Sequence, residues 1–142
     1  MADLITWAKA QRKLMEIQAQ LAAKDLSDRE IVELSVAFPY YVQNEVHKVG
    51  DIRRDPETEQ VKRCVTEYDG SVQTDWTIKT GTLWYAYHGI SEDTAYEFVT
   101  PTGAHDQYKQ GEWMTYNGAK YECLQDTVYA PDDLATAWLK HE

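Results

Sequence analysis

Aromatic side chains are the residues of this sequence with the most chemistry to offer. There are ten Tyr and five Trp against only two Phe. Tyr and Trp combine an apolar ring with a polar handle. The C–H faces of a pyranose stack on such rings while neighbouring polar groups bond its hydroxyls. Carbohydrate binding is therefore the chemistry that this bias serves. Four rings are candidates: Trp76 in "TDWTI", Tyr85, Trp113 in "GEWMTY", and Tyr129. Each also has a core role open to it, and for Trp76 the two roles balance. For Trp113 strand alternation decides, because Met114 and Tyr116 share one face and Trp113 and Thr115 the other. Met114, Tyr116 and Tyr121 are expected inside, and Trp113 outside.

Other chemistries find little to work with. His47, His88, His105 and His141 are scattered, with no spacing that would ligate a metal. Neither a nucleophile elbow nor a phosphate-binding Gly-rich loop is present. A glycosidase sets two carboxylates across a cleft, whereas Glu92-Asp93 and Asp132-Asp133 read as solvated charges or turn starts. No enzymatic activity, metal or cofactor is expected. The net charge of −10 and pI of about 4.8 disfavour nucleic acid and anionic membranes. No apolar run is long enough to span a bilayer. The N-terminus lacks the layout of a signal peptide, so synthesis in the cytoplasm is expected. Cys64 and Cys123, without a secretion signal, are expected as free thiols.

The elements that must position these residues follow from spacing. The chain of 142 residues allows one ordinary domain or two very small ones. Asp3 can cap a first helix. Trp7, Ala10, Leu14, Ile17 and Leu21 recur at intervals of 3 and 4, an a/d stripe with Gln, Lys and Arg elsewhere. Such a helix either lies on its own domain or joins a short parallel coiled coil. Ser27 and Glu30 form a capping box for a short second helix from Asp28 to Leu34, and Pro39 ends helical structure. Short strands and turns follow. "EWMTY" and "KYECLQ", joined by Asn117-Gly118, read as a hairpin.

The β region repeats itself. Gly50-Asp51 and Gly111-Glu112 each lead through a hairpin to a Cys (Cys64, Cys123), then through a polar loop to a Trp (Trp84, Trp138). Gly to Cys spans 14 and 12 residues, and Cys to Trp spans 20 and 15. The shared Trp84 and Trp138 are expected in the two cores. Both halves resemble the small chitin-binding-like carbohydrate-binding modules of families 5 and 12. Tyr108, Gly111, Met114, Tyr116, Gly118, Tyr121, Cys123 and Trp138 fall on that pattern, whereas Arg53 and Asp55 depart from it in the first copy. The whole chain is also similar to small proteins encoded in tail modules of phages and prophages of Gram-positive bacteria. That likeness rests on "LITWAKAQR", "LSDREIVEL" and "PTGAHDQYKQG".

These readings lead to an α+β fold: an N-terminal helical, coiled-coil-like segment (1–24), a short helix and connector (25–36), a first β module (37–89), a linker (90–100) and a second β module (101–142). The resemblance implies a phage tail or baseplate protein, carried on the virion, that binds bacterial cell-wall or surface glycan. It further implies phage tail proteins as partners and a homotrimer assembled through Trp7, Ala10, Leu14, Ile17 and Leu21. The alternative is a structural virion or tail-assembly protein whose modules contact other proteins.

Overall fold

The structure, a computed structural model, describes residues 3–141. Met1, Ala2 and Glu142, which end the first and last expected segments, lie outside the described residues. The fold is α+β. Asp3 caps α1 (Leu4–Ala22), its Oδ1 accepting the Thr6 N–H at 2.7 Å. Ser27 and Glu30 close a reciprocal capping box on α2 (Asp28–Glu33), at 3.1 and 3.0 Å. These bonds satisfy N–H groups that a helix start leaves orphaned.

Eight short strands follow: β1 (Val46–His47), β2 (Ile52–Arg54), β3 (Val61–Cys64), β4 (Tyr68–Asp69), β5 (Trp84–Ala86), β6 (Trp113–Tyr116), β7 (Ala119–Cys123) and β8 (Trp138–His141). They form antiparallel sheets ordered β1-β4, β2-β3-β5 and β6-β7-β8. The sequence repeat is thus a backbone repeat. Cys64 sits opposite Trp84 and Cys123 opposite Trp138. Gly50 N–H donates to Cys64 O at 2.9 Å, and Gly111 N–H to Cys123 O at 2.8 Å. Both glycines have φ near +90°, a conformation a Cβ would strain. Asn117 and Gly118 also have positive φ, as a tight two-residue hairpin turn requires.

The repeat extends upstream of its apparent start. Arg54 N–H donates to Pro39 O and Tyr41 N–H to Arg54 O. Thr115 N–H likewise donates to Tyr96 O and Phe98 N–H to Thr115 O. An extended segment therefore lies parallel on the outer edge of each first strand. Residues 96–98, from the stretch read as a linker, are built into the second module in this way.

Each module holds the same three-ring cluster. In the second, Phe98 stacks on Tyr108 (5.3 Å) and Trp138 meets Tyr108 edge-on (5.3 Å). In the first, Tyr41 stacks on His47 (4.7 Å) and Trp84 meets His47 edge-on (5.5 Å). Trp84 and Trp138 are both buried, as expected. Met114 is fully buried, whereas Tyr116 and Tyr121 share its face but reach only half burial at the module's margin. His88 joins the modules, its ring flat on Tyr108 (3.7 Å) and its Nδ1 3.0 Å from Glu112.

The two sheets differ in what covers their outer faces. Ile52 and Val61 pack under Ile31, Val32 and Phe38, so the α2 region caps the first sheet. The equivalent positions of the second sheet are Trp113 and Lys120, neither of which is buried. Along α1, Arg12, Met15, Glu16, Ala19 and Gln20 are half-buried. The helix contributes no buried residue and touches the first module through Ala19, with Ala23 just beyond its end. Gln20 anchors it, donating to Gly50 O at 2.9 Å and accepting the Ile52 N–H at 2.8 Å. Trp7, Ala10, Leu14, Ile17 and Leu21 all remain exposed, although Ile17 and Leu21 flank a shallow groove with Pro39 and Arg53 of the first module.

Candidate functional site

The four candidate rings are not gathered into one site. Trp76, on the loop between β4 and β5, is exposed and meets Tyr68 edge-on at 5.6 Å. Tyr85 is half-buried on the outer face of β5, stacked on His105 at 4.6 Å. Trp113 lies on the outer face of β6, as alternation requires, but His141 packs against it at 4.4 Å and leaves it half-buried. Tyr129 is 55% exposed. Among the described residues no ring contact joins any two of these four.

Of the four, Tyr129 lies in an aromatic groove. That groove, about 450 Å³ and open to solvent, is lined by Phe98, Thr100, Pro101, Tyr116, Tyr129 and Asp133, among others. Its floor continues the core: Phe98 stacks on Tyr108 beneath it and meets Tyr116 edge-on at 5.8 Å. The Tyr116 hydroxyl donates to Asp132 Oδ2 at 2.9 Å. That hydrogen bond raises the Tyr116 pKa, since the carboxylate favours the protonated phenol.

The loop presenting Tyr129 is fixed by its backbone. Trp138 Nε1–H donates to Tyr129 O at 3.0 Å, and Tyr129 N–H donates to Thr127 Oγ1 at 3.0 Å. The backbone that carries the ring is thus held in place, while the ring itself is exposed. The flanking charges are carboxylates, which accept hydrogen bonds from hydroxyl or amide donors.

Phe98 and Tyr116 were not among the rings singled out by sequence. Phe98 had a readable signal, because "PYYV" at 39–42 and "YEFV" at 96–99 are the same edge segment of the two repeats. Tyr116 shares the core face with Met114, but its position next to the turn carries it to the margin, where its hydroxyl reaches solvent. Among the described residues, no three His, Cys, Asp or Glu side chains cluster as a metal site would need. No helix among the described residues is long and apolar enough to cross a membrane. Cys64 and Cys123 are both free and buried. No protein-family model and no curated protein matches the chain.

Proposed function

We propose that this protein is a non-enzymatic accessory component of a phage tail or baseplate that binds bacterial surface carbohydrate. The observation that carries the binding part is the groove of the second module: an exposed, backbone-anchored Tyr129 ring beside Phe98 and Tyr116, edged by carboxylate acceptors. This is the combination of stacking faces and few polar groups that sugar sites use. The assignment to a tail rests on the resemblance of the chain's three motifs to tail-module proteins. The test is co-sedimentation with purified Gram-positive cell walls, where retention well above an unrelated acidic protein of similar size is expected. Absence of retention contradicts the reading.

A second reading is favoured by a different observation. The stripe of α1 stays exposed and, among the described residues, none of it is buried in the chain's own core. It suits an oligomer or a tail protein, and on this reading the modules act as spacers. Co-purification with tail proteins, without any retention on cell walls, is its signature.

A further inference from the structure

The two modules share a backbone but not a groove, and the difference has a physical cause. Where the second module has Tyr116 and Tyr121, the first has Asp55 and Lys62 at the equivalent places in the hairpin. Asp55 and Lys62 are buried and form an ion pair at 3.5 Å, with Lys79 also on Asp55. The connection from Cys64 to Trp84 is twenty residues against fifteen in the second module, and it folds back over this pair. Lys62 Nζ donates to Ile78 O at 3.2 Å. Gln43 Nε2 donates to Trp76 O at 2.9 Å and to Gly70 O at 3.1 Å.

Tyr41, the counterpart of Phe98, has its hydroxyl tied to Gln43 and Tyr68 (2.8 and 2.9 Å). The first module therefore fills with its own loop the space that the second leaves open. The open groove also has a sign. Asp132 and Asp133 stand at its edge, no Lys or Arg lines it, and the protein carries a net charge of −10. A phosphodiester or uronate polymer would bring like charge against these carboxylates.

Building on the carbohydrate reading, we infer that each chain holds a single sugar groove, in the second module. Its ligand is an uncharged glycan rather than an anionic wall polymer. The experiment is co-sedimentation with Gram-positive cell walls, native and stripped of teichoic acid, using the full chain and three variants whose folding is checked by thermal melts. Wild type should be retained on both walls, and at least equally on the stripped one. Tyr129→Ala should lose about tenfold or more in affinity, the loss of one well-placed aromatic contact.

Trp76→Ala should stay within about twofold of wild type, because its ring covers the first module and lines no groove of the second. Asp133→Lys, at an exposed position, should shift preference towards teichoic-acid-bearing walls. Retention that vanishes on stripping overturns the uncharged ligand. Loss in Trp76→Ala with none in Tyr129→Ala overturns the single groove, as does equal loss in both. An unchanged preference in Asp133→Lys counts against this groove as the site. Wild type retained on neither wall contradicts the carbohydrate reading itself, and this inference with it.

Discussion

Asp55→Asn tests whether the first module has become a scaffold closed over a buried charge pair. Asp55 is fully buried and Lys62 is 5% exposed. Burial alone would raise the Asp55 pKa. The hydrogen bonds from Lys79 and the Glu57 N–H, with the charges of Lys62 and Lys79, outweigh it and hold the pKa below the usual carboxylate value. Burial lowers the Lys62 pKa, against the pull of Asp55. Asn keeps the shape and removes the charge. Lys62 is then left in the interior without its counter-charge, facing neutral acceptors such as Ile78 O. Breaking one side of such a pair costs about 3–5 kcal/mol, moderated where Lys62 sheds its proton. With a urea slope of about 2 kcal/mol per molar, the unfolding midpoint should fall by roughly 1.5–2.5 M. The double variant Asp55→Ala/Lys62→Met removes both charges and should lose less than the two single changes together. The sign with pH follows. Asp55 has a depressed folded pKa, so its stabilisation is full above the unfolded value near 3.9 and is lost as pH falls through the folded one. A midpoint for Asp55→Asn within about 0.5 M of wild type, under 1 kcal/mol at that slope, refutes the reasoning.

The remaining predictions concern the other module cores and α1. His47, fully buried against Tyr41, Tyr68 and Trp84, has its pKa lowered by burial. Its stabilising effect is full above the unfolded value of about 6.5 and falls as pH drops from there towards the folded value. Urea midpoints between about pH 7 and pH 5 should therefore decline more steeply in wild type than in His47→Phe, and parallel slopes contradict this. Leu14→Asp places a charge in the exposed stripe of α1. Sedimentation should give an oligomer for wild type at micromolar concentration and a monomer for the variant, while a wild-type monomer removes the assembly role of the stripe. Burial raises both thiol pKa values, Cys123 to about 11. Alkylation should thus be slow in the native protein and label two cysteines after unfolding without reductant, whereas a two-dalton loss would reveal a bridge.

Local chemistry was legible in the sequence because it is written in adjacent residues. The Asp3 cap, the Ser27–Glu30 box and the Asn117-Gly118 turn each depend on neighbours within four positions. The Gly–Cys–Trp repeat was legible because it marks one hydrogen-bonded corner in both modules. The groove was not legible, because its parts come from the edge segment (Phe98), the hairpin (Tyr116) and the loop before β8 (Tyr129), and only tertiary pairing joins them. The same limit separated the four candidate rings. Tyr85 found His105 from the stretch before the second hairpin, and Trp113 found His141 on β8. Neither contact has a sequence period to announce it. The stripe of α1 left two roles open. Its exposure follows because Ala19, Ala23 and Gln20, which lie off the stripe, pack on and hydrogen-bond to the first module.

The central claim is that a sugar stacks on Tyr129 in the groove of the second module. Its most direct measurement is an NMR titration of the isotope-labelled full chain with soluble glycan fragments released from teichoic-acid-stripped cell walls. Saturable shifts confined to Phe98, Thr100, Tyr116, Tyr129, Asp132 and Asp133 are expected, abolished in Tyr129→Ala. Shifts centred instead on Trp76, Tyr85 or Trp113, or no shifts at all, would contradict that claim.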